Sequence, residues 1–167
     1  MADKFLYINA GTITEKAAII TSAGAGDSGK VIALDAAGRL DSSFMPVGTG
    51  TDTQVITASE TLAAGDWVNI WNSTGAKVRK ADATVAGKEA HGFVLSAVSS
   101  SASATVYFEG TNTAVTGQTA GVVYLGTTAG LGTTTAPSST GNVVQRIGFA
   151  TSDTTVNFQS QPPIVLA

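Results

Sequence analysis

The chain has no cysteine. No disulfide can hold it together and no thiolate is available for a zinc site, so neither an oxidising compartment nor a thiolate metal centre is implied. Charge is also scarce: 13% of the 167 residues are charged and the formal net charge is -3. That balance excludes the basic footprint of a nucleic-acid-binding protein and the charge block of an acidic tail. Long apolar runs are missing, and the longest fall far short of the roughly 18 residues a membrane helix requires, so no membrane partner is expected. The start, Met1 to Phe5, lacks a basic segment followed by a long apolar one, and no signal peptide is expected.

Glycine, serine, threonine and short β-branched runs are abundant. A chain of this length can bury a real core, as one domain or as one domain with an appendage. Its small, largely neutral side chains suit a surface that is partly covered by partners.

The most informative stretch is Gly65 to Lys80. Trp67, Asn69 and Trp71 alternate with Val68 and Ile70, the two-residue period of a strand with two differently dressed faces, and both Trp fall on one face. An Asn72-Ser73-Thr74-Gly75 turn follows, with glycine where positive φ is cheap, and Lys77-Val78-Arg79-Lys80 runs back as a polar strand.

A cousin of this hairpin occurs later. Leu62 to Val68 matches Gln118 to Leu125, Asn72-Ser73-Thr74-Gly75 matches Thr127-Thr128-Ala129-Gly130, and Gly92-Phe93-Val94 matches Gly148-Phe149-Ala150. These anchors keep a nearly constant offset of about 56 residues. Thr105 to Glu109 matches Thr155 to Gln159 as well. Residues 52 to 160 therefore read as two diverged copies of one four-strand unit, an all-β barrel or sandwich that removes exposed sheet edges.

The first fifty residues differ. Phe5 to Asn9 and Ala17 to Thr21 are short apolar runs without a core, residues 23 to 30 form a flexible break, and Val31 to Leu34 is strand-like. A glycine turn at Asp35 to Gly38 and a short helical turn before Pro46 follow, and Val47 to Thr51 reads as a linker. The expected organisation is an extended arm or small β subdomain over 1-51 and a β-barrel or sandwich over 52-167, ending in an extended tail whose last four residues are apolar.

Motifs for chemistry are few. Gly24-Ala25-Gly26-Asp27-Ser28-Gly29-Lys30 imitates a phosphate-binding loop, but Val31 stands where Ser or Thr should reach magnesium and no helix-length segment follows. His91 is the single histidine, and its ordinary role is that of a strand residue at a barrel end. Asp27, Asp35 and Asp41 lie in turns without calcium-loop spacing. No catalytic residue, cofactor site or metal site is assigned. Trp67 and Trp71 offer either a stacking platform for sugars or bases, or core and interface anchors. Lys77, Arg79 and Lys80 form the one basic cluster, either a solvated hairpin face or a contact for an acidic neighbour.

The segment Gly29 to Asp41 resembles a module common near the start of tailed-bacteriophage structural proteins. The repeated region, with Ala64 to Val68, Lys77 to Ala83, Thr105 to Gly110 and Gly141 to Gly148, resembles phage capsid decoration or cement proteins. The resemblance implies a non-enzymatic structural protein on the outer surface of the virion head. Such proteins bind the major capsid protein, usually as homotrimers at threefold positions, and clamp it against internal DNA pressure. The candidate capsid or inter-subunit contacts under this reading are Phe5, Tyr7, Ile19, Leu34, Phe44 and Met45 in the arm, and Trp67, Trp71, Lys77, Arg79 and Lys80 in the hairpin. Ile164 and Leu166 in the tail complete the set. Gly/Thr-rich modules of this kind also occur in tail and fibre proteins, so the alternative is a receptor- or glycan-binding module with Trp67 and Trp71 as its platform.

Overall fold

The computed structural model describes residues 3-46 and 51-167. The linker reading for Val47 to Gly50 lies outside the described residues. The chain divides into two compact units, Met1–Gly50 and Thr51–Ala167. Both are built from strands, and the described residues contain no helix beyond two three-residue 3-10 turns.

In the first unit, β1 (Lys4–Asn9) and β2 (Thr12–Ala17) form an antiparallel hairpin. Ala10 and Gly11 close it with φ of 48° and 85°, the paired left-handed backbone that a two-residue hairpin turn requires. Beyond β2 the backbone is irregular. The strand-like run Val31 to Leu34 supplies only a single parallel bridge, Ile19 to Ile32, because its other backbone groups have no second strand beside them.

The second unit begins with β3 (Thr53–Ala58), β4 (Trp67–Asn72), β5 (Ala76–Lys80), β6 (Gly92–Phe93) and β7 (Ser103–Tyr107), which close into a barrel in the order β3-β5-β4-β6-β7. Val68, Val78, Val94 and Val106 fill its interior together with Ile56 and Leu62. Next come β8 (Gly110–Asn112), β9 (Gly121–Leu125), β10 (Gly132–Thr133), β11 (Val143–Val144), β12 (Arg146–Ser152), β13 (Thr155–Phe158) and β14 (Ile164–Val165). Five of them make an open sheet, β10-β9-β12-β13-β8, and β11 pairs with β14 separately.

The two halves share one topology. In each, a strand pairs with its hairpin partner on one side and with a later strand on the other, and that later strand pairs with the next (β5-β4-β6-β7 and β10-β9-β12-β13). The strand preceding each set, β3 or β8, then adds to the far edge. The unit is therefore five strands and not four. Only in the first copy does the preceding strand also reach the opposite edge, through the parallel β3-β5 pairing that closes the barrel.

The equivalence is sharpest at two glycines. A Cβ on Gly92 would stand 2.4 Å from the Tyr107 carbonyl oxygen, and one on Gly148 would stand 2.0 Å from that of Asn157. Glycine is thus required where the third strand of each copy crosses tightly over the fourth. The β9 alignment is displaced by one residue from the sequence match, however. Val68 pairs with Gly92 and Val123 pairs with Gly148, whereas aligning Gly65 with Gly121 sets Trp67 beside Val123. A one-residue shift exchanges the two faces of a strand, and so Val123 does not stand in for Trp67.

The open sheet packs on the outside of the barrel. Trp67, Phe93 and Ala81 from the first half meet Val123, Leu125, Ile147, Val156 and Phe158 from the second. Two buried amides fasten the seam. Asn112 donates through Nδ2 to the Gly65 carbonyl at 2.9 Å. Gln145 takes both backbone groups of Ala90: its Oε1 accepts from the amide at 2.8 Å and its Nε2 donates to the carbonyl at 2.9 Å. Replacing Gln145 by Leu leaves both Ala90 groups buried and unpaired, an expected loss of about 2 kcal/mol. The urea unfolding midpoint measures it.

Candidate functional site

The Gly65 to Lys80 hairpin forms as read, with Asn72 opposite Ala76 and Thr74 and Gly75 both at positive φ in the turn. Trp67 and Trp71 do share the outer face of β4, since Val68 and Ile70 pack with the barrel interior. Their fates diverge nonetheless. Trp67 is fully buried beneath the second sheet, stacked on Phe158 at 5.4 Å and edge-on to Phe93 at 5.8 Å. It cannot be a contact for another chain, which corrects its candidacy, and the two-Trp platform does not exist. Trp71, further along and beyond the second sheet's cover, is half-buried. Its Nε1 donates to Ser59 Oγ at 3.2 Å and the Arg79 guanidinium lies 4.7 Å from its ring centre.

The basic cluster is mostly spent inside the chain. Arg79 donates to Asn69 Oδ1 at 2.9 Å and to the Gly87 carbonyl at 2.7 Å. Lys80 pairs at 3.2 Å with the buried carboxylate of Asp66. Lys77 alone of the three makes neither an ion pair nor such a bond. Arg79 and Lys80 thus tie the hairpin to its neighbours within the second unit.

His91 lies at the barrel wall, where Nδ1 accepts from the Ile70 amide at 3.0 Å and its own amide donates to the Val68 carbonyl at 2.8 Å. The side chain completes pairing for β4 where the two-residue β6 ends. In the phosphate-loop look-alike, Asp27 occupies the loop itself, accepting from Ala23 N at 2.6 Å and from Lys30 at 2.5 Å. The Lys30 bond, then the Ala23 amide, hold the Asp27 carboxyl below the usual range. The lysine that should meet a phosphate is ion-paired with Asp27. Asp41 is likewise lowered, by the Ser43 hydroxyl and amide, as it caps the 3-10 turn Ser42–Phe44.

Asp82 has opposing influences. Burial pushes its carboxyl up, but bonds from the Thr84 hydroxyl, from Lys88 at 2.9 Å and from the Thr84 amide at 3.0 Å outweigh it, and the net shift is downward. A carboxyl lowered on folding contributes stability that is present above its unfolded pKa of about 3.9. It is lost as pH falls through the folded value. Chemical denaturation at stepped pH should show stability falling below pH about 4, with a shallower acid slope and lower neutral-pH stability in Asp82→Asn.

A depression of about 310 Å³ is lined by Gly126, Thr127, Thr128, Leu131 and neighbours, none titratable. Among the described residues no group of three or more His, Cys, Asp or Glu side chains could hold a metal ion, and no helix is long and apolar enough to cross a membrane.

The arm supplies the most unusual surface. Among residues 3 to 46 none is buried. Phe5 and Tyr7, read as contacts, are half-buried on the hairpin face that Lys16 shares, with Lys16 Nζ 5.0 Å from the Tyr7 ring centre. The opposite face carries Leu6, Ile8 and Ile13, exposed by 74%, 72% and 68%. These three were missed, although the same alternation that singles out Phe5 and Tyr7 assigns Leu6 and Ile8 to the other side. Ile19 and Phe44 are half-buried, and Leu34 and Met45 are exposed. In the tail, Ile164 and Val165 pair with Val144 and Val143 while their side chains stay exposed, and Leu166 is half-buried. The tail is therefore docked as a strand and not free.

No protein-family model, no curated protein and no solved structure matches the chain.

Proposed function

We propose that the chain is a structural protein of a tailed-bacteriophage virion. In this reading it is a decoration protein that binds the outside of the head as a homotrimer and stabilises contacts between major capsid proteins. One observation carries this reading beyond the sequence resemblance. The first unit exposes nine large apolar side chains and buries none of its described residues, while the second has two packed clusters of its own. A two-stranded hairpin is marginal in water, and an exposed apolar face of this kind marks a surface to be covered. A self-sufficient sandwich joined to a segment that needs a neighbour suits a clip that spans a boundary between shell subunits. Several weak footprints on one trimer would add through high effective concentration. The tail-module alternative loses its two-Trp platform, because Trp67 is not available to a ligand.

The test uses heads of the encoding phage, either bare, decorated with the full chain, or mixed with residues 51-167. Full-chain heads should release DNA at higher temperature or stronger osmotic shock than bare heads, and the fragment should remain folded yet bind heads much more weakly. Equal DNA release from bare and decorated heads removes the stabilising role. Undiminished binding by the fragment removes the arm from it.

A further inference from the structure

The two edges of the β1-β2 hairpin are not alike. The Asp3 carbonyl accepts from the Ala18 amide at 2.8 Å. Bonded pairs alternate along an antiparallel ladder, so Phe5 with Lys16, Tyr7 with Thr14 and Asn9 with Thr12 are the bonded pairs of this register. The amides and carbonyls of Lys4, Leu6 and Ile8 therefore point outward from β1, and those of Ile13, Glu15 and Ala17 outward from β2. The β2 side already takes a further segment of chain. Just past that strand the Ile19 amide donates to the Val31 carbonyl and the Ile19 carbonyl accepts from the Ala33 amide, both at 2.9 Å. The β1 side takes none: among the described residues the outward groups of Leu6 and Ile8 make no hydrogen bond.

The residues with free backbone groups also carry the exposed apolar face, where Leu6 and Ile8 stand beside their partners Glu15 and Ile13. The charges on that face, Lys4 and Glu15, are paired with each other at 2.9 Å. The face is thus neutral, and a charged side chain laid over it would lose water without gaining a partner. Exposed strand edges are ordinarily blunted by a proline, a bulge or a lysine. β1 has no proline, its register with β2 is unbroken, and its one lysine sits at the end of the strand, turned to Glu15. Free ladder groups flanked by apolar side chains are completed together by an extended strand.

We propose that the outer edge of β1 is a strand-acceptor site, filled by an extended segment of the shell protein that lacks proline and is apolar where it covers Leu6 and Ile8. The added strand bonds to Leu6 and Ile8 through its backbone. It turns a two-stranded hairpin, marginal by itself in water, into a three-stranded sheet. Backbone bonds supply the affinity and alternate side chains the selectivity. The inference rests on the decoration reading and deepens it by naming what the arm would hold.

Amide hydrogen exchange tests it, carried out on the full chain free and bound to heads of the encoding phage, and read residue by residue after release. The Leu6 and Ile8 amides should exchange at least tenfold more slowly on heads. Leu6→Pro deletes an outward amide, which an edge strand tolerates, and should weaken head binding at least tenfold. Leu6→Ala keeps that amide and should weaken binding less. The wild-type exchange decides the matter should Leu6→Pro disrupt the hairpin. Unchanged Leu6 and Ile8 exchange in head-bound chain, or equal losses in the two variants, overturns the inference and leaves the decoration reading intact. Protection of these amides in free chain that grows with concentration also overturns it, giving the edge to a second copy. A wild-type chain that does not bind heads overturns both.

Discussion

Trp67→Ala should cost the second unit about 3–5 kcal/mol, the range for deleting a large aromatic from a packed core. Trp67 has no exposed surface and touches rings from both halves, Phe93 on the barrel and Phe158 on the sheet. Its removal opens a cavity at the seam itself, where β4 cannot move inward because Val68 and Ile70 already face the barrel core. Domains of this size are stable by only about 5–15 kcal/mol, so the variant should lose a large share of its urea midpoint. Trp71→Ala, which removes one hydroxyl contact and one Arg79 stacking contact at a half-buried site, should cost about 1 kcal/mol or less. Similar losses for the two variants would mean that Trp67 is not the seam anchor.

Gly148→Ala is the second large effect. The added methyl would lie 2.0 Å from the Asn157 carbonyl oxygen and 3.0 Å from its carbon, and both belong to the backbone of the neighbouring strand. No side chain can swing aside, so β12 and β13 must separate. The expected cost is about 3 kcal/mol or more, at the upper end of overpacking effects. Gly92→Ala, 2.4 Å from the Tyr107 oxygen, should behave alike in the barrel. Gly26→Ala is the control: it has open space and no positive φ, so it should fall within about 0.5 kcal/mol of wild type. Urea titrations of the three variants decide whether the paired glycines share one structural duty.

The recurrence of Gly92-Phe93 and Gly148-Phe149 made the duplicated architecture legible, because a glycine forced by close backbone approach leaves a mark in sequence. The two Phe, though, were not alike: Phe93 is buried in the seam and Phe149 lies outside under Arg146. Sequence alternation put Trp67 and Trp71 on one face correctly, but it does not encode how far along β4 the second sheet extends. That extent separates a core residue from a surface one. The intrachain bonds of the basic cluster were not legible for a similar reason, since the partners of Arg79 and Lys80, Asn69 and Asp66, are set by proximity and not by local pattern.

The position of β3 has a mechanical consequence. The first strand of the second unit is held by five consecutive antiparallel pairs, Thr53 to Thr57 against Tyr107 to Ser103, and by two parallel pairs with β5. Ladder hydrogen bonds stand perpendicular to the strands. Tension drawn along β3 therefore loads those bonds together in shear, whereas tension drawn across it would peel them one at a time. An arm pulled along the strand axis would meet the barrel at a joint that resists shear.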